Sequence, residues 1–237
     1  MSQTQQATIN NRLLRALTPD DFARLQPHLE PMTSQLREEL IGAGEPIKEL
    51  YFPETGFASI VIDGLAQKIE VGLIGREGLV GAAPLLLGTD STPQRSFVQM
   101  SGTLMRIDAS VLRAAALESA SLHTILLRYI HTHMIQASLT IYAHAALNLE
   151  ARLARWLLMC HDRVDGDELV LTHEFLSMML GVHRAGVTLA LQNLEGAGRI
   201  KGRRKRIQIL DRDKLLQLVD GSYGVAEAEY ARLIGGA

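Results

Sequence analysis

The sequence predicts an α+β chain in three parts: an antiparallel β-rich body, one long helix, and a pair of short helices followed by a basic hairpin. Three observations carry this. Residues 42–107 hold short alternating or β-branched segments punctuated by glycine. Residues 119–148 contain neither proline nor glycine. Residues 172–210 show two short apolar-periodic stretches broken at Gly181, then six basic residues within the eight positions Arg199–Arg206.

Composition sets the outer bounds. The 237 residues are 47% hydrophobic and 21% charged, a soluble globular balance large enough for one or two domains. The net charge of −2 names no polyanionic partner, but from Arg199 to Lys214 there are eight basic and two acidic residues. Such a patch steers a polyanion whatever the global sum. The single cysteine, Cys160, rules out an intramolecular disulfide and excludes an iron–sulfur cluster held by several thiolates. MSQTQQATINNRLL has no basic-then-apolar signal pattern, and no apolar run approaches the ~20 residues of a membrane span. The expectation is a cytoplasmic protein with no membrane partner.

Along the chain, residues 1–8 read as a frayed end and residues 9–40 as short helices. Thr18-Pro19-Asp20-Asp21 is a helix start, with proline in the first turn and acids at the positive end of the dipole. From about residue 41 the segments FASIVI, AQKIEVGLI, RSFVQM and GTLMRI read as strands of an antiparallel sandwich or barrel, with Asp63-Gly64 as a hairpin signal. Asp108 is an N-cap. The long helix that follows carries Leu122, Leu126, Tyr129, His133, Gln136 and Thr140 at alternating spacings of three and four, continued by Ala143 and Leu147. This period of about 3.5 reads as a seam against a second copy of the helix across a two-fold axis, so these residues are expected at a dimer interface. Another helix over 148–164 places Leu153, Trp156, Leu157 and Cys160 on one face, and Gly166 ends it. The last twenty residues are weakly helical and receive no role.

The stretch after Thr172 carries the functional reading. Thr172 caps a helix whose apolar face is Phe175, Leu176, Met179 and Leu180. Gly181 supplies the tight turn. A second helix from about His183 turns Val187, Ala190, Leu191 and Leu194 inward, and so presents His183, Arg184, Ala185, Thr188, Leu189 and Gln192 outward. This is the helix-turn-helix pattern, whose second helix enters the major groove of double-stranded DNA. Arg184 is the candidate for guanine, and Ala185 and Leu189 for thymine methyl groups. Arg199-Ile200-Lys201 and Ile207-Gln208-Ile209-Leu210 read as two strands around a Gly202–Arg206 tip. Lys201, Arg203, Arg204, Lys205 and Arg206, with Thr172 and His173, are candidates for phosphate contact. No Gly-x-Ser-x-Gly elbow, His-Glu-x-x-His, phosphate loop or Gly-x-Gly-x-x-Gly supports an enzyme. The competing reading is a ligand-binding module whose basic hairpin docks on an acidic protein.

The phrases YFPETGFASIVIDG, VGLIGREGLVGAAPLLLG, EARLARWLLMCHDRV and LTHEFLSMMLGVHRAGVTLALQNLEGAGRI together resemble the Crp/Fnr-type bacterial transcription regulators over nearly the whole chain. The resemblance implies a cyclic-nucleotide-binding-like β-roll sensing an effector (9–118), a dimerisation helix (119–147) and a winged helix-turn-helix (148–220). It also implies a homodimer on a palindromic site, and RNA polymerase as a further partner. Arg184 corresponds to the family's base-reading arginine. Ala185 and Leu189 stand where a glutamate and a second arginine often follow, so a different DNA site is expected. In the roll, Gly81 and Arg95-Ser96 match the family's nucleotide-binding positions, and Ala82 replaces its glutamate; these four mark the expected effector pocket. The missing acid argues against cyclic AMP, and the effector is left unidentified. For haem, His123, His131, His133 and His144 are the available ligands. His131 and His133 point to different sides, and His133 and His144 lie three turns apart, so haem is not expected and no metal site is assigned.

Overall fold

The computed structural model describes residues 5–64, 68–219 and 221–235. After a 3-10 turn at Gln6–Thr8, helices α1 (Arg12–Arg15) and α2 (Pro19–Leu25) open the chain. The Asp21 N–H donates to Thr18 Oγ1 at 3.2 Å, and Pro19 stands in the first turn, as the sequence requires. The expected helical run to residue 40 stops short. A second 3-10 turn (Gln26–His28) leads instead into strands β1 (Glu30–Thr33) and β2 (Glu39–Ile41). These strands are too short to display a period, and β1 tolerates Pro31 because it lies at a sheet edge.

Strands β3 (Glu49–Pro53), β4 (Phe57–Asp63), β5 (Lys68–Ile74), β6 (Arg95–Met100) and β7 (Thr103–Asp108) complete two antiparallel sheets, β1-β7-β3 and β2-β6-β4-β5. A short helix, α3 (Ala82–Leu86), stands between β5 and β6. FASIVI, RSFVQM and GTLMRI are strands as read. Asp63 pairs with Lys68, so it ends β4 instead of entering the turn, and part of that turn, residues 65–67, lies outside the described residues.

Asp108 caps α4 (Ala109–Glu118), and Ser119 caps the long helix α5 (Ala120–Ala146) of 27 residues. At 1.5 Å per residue α5 is about 40 Å long. Its seam is turned into its own protomer. Leu122, Leu126 and Tyr129 are buried in the core of the β-rich body, each 4% exposed or less. His133 lies so close to β5 that a Cβ on Gly72 would come within 2.8 Å of its Cε1. Gln136 Oε1 accepts the Leu73 N–H at 2.9 Å, and Thr140 Oγ1 accepts from Arg155 Nη1 at 3.3 Å. The six seam residues therefore serve contacts within one chain. The apolar side chains α5 leaves in solvent are Met134, Ile141 and Tyr142.

Beyond α5 the chain builds α6 (Leu149–His161), β8 (Glu168–Leu169), α7 (His173–Leu180), α8 (Arg184–Gly196), the hairpin β9 (Ile200–Arg203) and β10 (Arg206–Ile209), α9 (Arg212–Leu218) and α10 (Val225–Leu233). A second core gathers Leu153, Trp156, Leu157, Cys160, Phe175, Leu176, Val187 and Leu194 with Phe57, Val61 and Leu73 of the roll. The C-terminal body thus rests on the β4–β5 face. The rings of Phe97 and Phe175 lie 6.4 Å apart, and the Arg37 guanidinium stands 5.0 Å above Phe175. Helix α10 returns to pack on α5, and Ile234 is buried in the first core. Burial pushes the Cys160 thiol well above its ordinary range, which makes it a small core group and not a reactive thiolate.

Candidate nucleic-acid interface

The interface is built on α7 and α8. Thr172 Oγ1 accepts the Phe175 N–H at 3.2 Å and so starts α7. Gly181 adopts φ +61°, a left-handed conformation that a side chain would strain, and this sharp stop lets α8 leave at an angle to α7. Val187, Ala190, Leu191 and Leu194 are buried beneath α8. The face this leaves outward is the one read from the sequence: His183, Arg184, Ala185, Leu189 and Gln192 are exposed, and Thr188 is half-buried. Leu189 is 60% exposed, as expected of an apolar side chain presented to a partner. Thr188 Oγ1 meets His173 Nδ1 at 3.1 Å and the Arg184 carbonyl at 3.1 Å, so His173 braces α7 against the first turns of α8.

The hairpin beside α8 is tighter than the sequence suggested. β9 and β10 pair up to Arg203 and Arg206, leaving only Arg204 and Lys205 in the turn. Lys205 sits at φ +62°, an unusual place for a side chain with a Cβ. Arg203 and Arg206 stand directly opposite one another, a like-charge pair that costs stability until an anion lies between them. Glu168 relieves half of this by pairing with Arg206 at 2.9 Å; it belongs to β8, a third strand on the wing that the sequence did not reveal. Lys201, Arg203, Arg204, Lys205 and Arg184 have no ion-pair partner among the described residues. Two further contacts fix the wing to the helices. The Gly202 N–H donates to Glu195 Oε1 at 3.1 Å at the end of α8, and Arg199 pairs with Glu150 of α6 at 3.3 Å. Neither has a sequence signal, because no helical or strand period relates Gly202 to Glu195 or Arg199 to Glu150.

The expected effector positions separate. Gly81, Ala82 and Ser96 line a cavity of about 50 Å³ between the roll and α5, with Ile60, Ile74 and His133. Arg95 does not reach it. On β6 neighbouring side chains alternate, so Ser96 points in and Arg95 points out, where it pairs with Glu39 at 2.5 Å and Asp63 at 3.0 Å. A site for a ligand of nucleotide size needs roughly 300 Å³ or more. Of the four histidines on the long helix, His133 faces the roll, and His144 Nδ1 lies 2.7 Å from Arg152 Nη2. Among the described residues no three His, Cys, Asp or Glu side chains converge as a metal site would require.

Comparison with known proteins agrees with this architecture. Residues 151–218 match the Crp-like helix-turn-helix domain. No curated protein sequence matches the chain. Among solved structures, FixK2 from Bradyrhizobium japonicum is 17% identical with a TM-score of 0.70, over 80% of this chain and 96% of its own. A CRP-family transcriptional regulator from Thermus thermophilus is 19% identical, with a TM-score of 0.66 over 80% and 96%. The c-di-GMP-responsive global regulator CLP of Xanthomonas campestris is 17% identical, with a TM-score of 0.64 over 81% and 99%. The chain has the Crp/Fnr-type transcription-regulator fold: antiparallel roll, long helix and Crp-like helix-turn-helix domain. Among the described residues no helix is long and apolar enough to cross a membrane.

Proposed function

We propose that the chain is a homodimeric regulator of transcription, acting in the cytoplasm, that reads a palindromic site in double-stranded DNA. The observation that carries this is the exposed outer face of α8 beside a wing on which Lys201, Arg203, Arg204 and Lys205 lack acids among the described residues. Helix α8 places His183 and Arg184 at its amino-terminal end, the part of a recognition helix that reaches base edges. Arg184 takes guanine, Leu189 and Ala185 take thymine methyls, and Gln192 reads from one turn further along. Lys201, Arg203, Arg204 and Lys205 neutralise phosphates and fix the register. Thr172 and His173 sit at the start of α7, near enough to the backbone to add phosphate bonds, although both already hold partners in the free protein. The second copy joins through the outward stripe of α5, Met134, Ile141 and Tyr142, because the inward seam is already used. The roll cavity of about 50 Å³ is far below nucleotide size, which together with Ala82 in place of the acid supports an effector other than cyclic AMP.

Selection from a random duplex pool at moderate salt tests the reading. Enrichment of a palindrome with half-sites about one helical turn apart supports it. Arg184→Ala should cost about 1–3 kcal/mol and relax preference at one base pair per half-site. Replacing Arg203 and Arg204 together should weaken all sequences alike and flatten the salt dependence. Retention of no DNA at any salt, with binding to acidic proteins instead, would overturn it.

A further inference from the structure

A second cavity, far larger than the roll pocket, opens elsewhere in the molecule. It has a volume of about 670 Å³ and lies where the roll, α5, the end of α6, α9 and the C-terminal helix α10 meet. Its size is that of a small-molecule site. Its hydrogen-bonding capacity is uneven in an informative way. The acids on its wall are already engaged. Glu77 is paired with Arg163 at 2.6 Å, Asp162 with Arg212 at 2.7 Å and Asp167 with His161 at 2.9 Å. Glu227 accepts the Gly224 N–H at the start of α10.

The donors are not all engaged. The Arg12 guanidinium has no partner among the described residues. Gln136 uses its oxygen on the Leu73 N–H, which leaves its amide NH₂ over. The Tyr230 hydroxyl and Arg76 Nε are buried without a hydrogen-bond partner, although the two Nη atoms of Arg76 already meet Asp165 at 2.7 Å and the Asp162 and Val164 carbonyls. His133 adds a ring held neutral by burial. An unmet buried donor costs about 1–3 kcal/mol, and a wall carrying two, beside the exposed Arg12 guanidinium and the Gln136 amide, is completed by an occupant that brings acceptors. The rings of Tyr129 and Tyr230, with Val164 and Ala226, supply an apolar surface beside those donors.

We infer that this cavity binds a small organic oxyanion, a carboxylate or phosphate head on an apolar or aromatic body. The head meets Arg12, Arg76 and Tyr230, and the body lies against the tyrosines toward His133 and Gln136. The backbone places these groups together: the Arg12 N–H donates to the Arg76 carbonyl at 2.5 Å, and α10 carries Tyr230 against α5. Arg163 and Arg212 come from the DNA-binding body, whereas Arg12 and Gln136 come from the roll side. An occupant therefore sits where the two bodies meet, and any bearing it has on DNA rests on the reading proposed above. The binding claim itself does not rest on that reading.

The test is calorimetric titration of the full chain with phenyl phosphate and with phenylacetate, against benzyl alcohol as the neutral counterpart. At least one oxyanion should bind saturably and at least tenfold more tightly than the alcohol; which of the two wins assigns the head. Tyr230→Phe, which keeps the ring, and Arg12→Ala, at an exposed position, should each weaken that binding about tenfold, the effect of one charge-assisted hydrogen bond. Absence of saturable binding by either oxyanion up to about 10 mM, an affinity of roughly 3 kcal/mol, would overturn the inference. So would equal affinity for the alcohol, or unchanged affinity in both variants. No DNA enters this measurement, so its failure and that of the DNA selection are separable.

Discussion

At the scale of single residues, the group that sets the pH response is Glu70. Its carboxylate is 4% exposed on β5 and accepts hydrogen bonds from Ser59 Oγ and Trp156 Nε1, both at 2.6 Å. Burial nonetheless dominates and pushes its pKa up to about 7. The folded chain therefore holds a proton that the unfolded chain releases near the ordinary carboxylate value. Stability contributed by this group is full at low pH, falls as pH rises from about 4.5 to 7, and is flat beyond; the loss is about 3 kcal/mol. His133 slopes the other way. Burial lowers its pKa to about 4, so its contribution grows as pH rises from 4 to the unfolded value of 6.5. Glu70→Gln separates the two. Denaturant melts at about pH 5 and pH 8, either side of most of the Glu70 transition, should show the variant gaining about 3 kcal/mol relative to the parent between them. An identical pH dependence in parent and variant would mean that Glu70 is ionised throughout. Since Trp156 belongs to α6 and Glu70 to the roll, this bond also ties the C-terminal body to the roll.

At the scale of elements, the wing turn tests how charge and backbone strain are divided. Lys205 holds a left-handed φ of +62° with a side chain proposed above to contact phosphate. Lys205→Gly should raise the thermal stability by about 1 kcal/mol, and Lys205→Gln should not, because glutamine keeps the Cβ. Both should reduce the salt slope of DNA binding by about 0.9, the share of one phosphate. Equal stability of the two variants would show that the turn carries no strain.

Which elements the sequence revealed follows from the range of the interactions that make them. Helix starts at Thr18, Asp108 and Thr172 were legible because each cap bonds a backbone N–H two or three residues ahead. Strands β4, β6 and β7 were legible by period. Strands β1, β2 and β8 were not. They are two to four residues long and exist only through remote partners, as when Glu168 pairs with Gln208. The recognition face was legible because one helical wheel separates Val187 and Leu194 from Arg184 and Leu189. The placement of Arg95 could have been read from the alternation of β6, since a strand that turns Ser96 inward must turn its neighbour outward. The 670 Å³ cavity could not have been read at all; its wall comes from α1, α5, α6, α9 and α10, which nothing local brings together.

At the scale of the molecule, α5 is a two-sided helix, and the sequence could not say which side faces what. Apolar residues lie on both: Leu122, Leu126 and Tyr129 on one face, Met134, Ile141 and Tyr142 on the other. The roll claims the first face because β5 and α3 supply a complementary surface, and Gln136 locks that choice by bonding the Leu73 N–H. Met134 at 60% and Ile141 at 69% exposure lie seven residues, about two turns, apart, the spacing of one helix meeting its copy across a two-fold axis, and Tyr142 at 55% flanks them. Ile141→Glu places a charge in that stripe without touching the protomer core. Two-fold symmetry applies the loss twice, so dimerisation should weaken by about 4 kcal/mol, roughly a thousandfold. Light scattering should then report the mass of one chain at micromolar concentration. Affinity for a palindrome should fall to that of a half-site, while the melting profile of the protomer persists. The same substitution at Leu126 should instead unfold the roll, because that side chain is 1% exposed within it. If the Ile141 variant stayed dimeric and bound the palindrome as the parent does, the two-fold axis would have to run through another face.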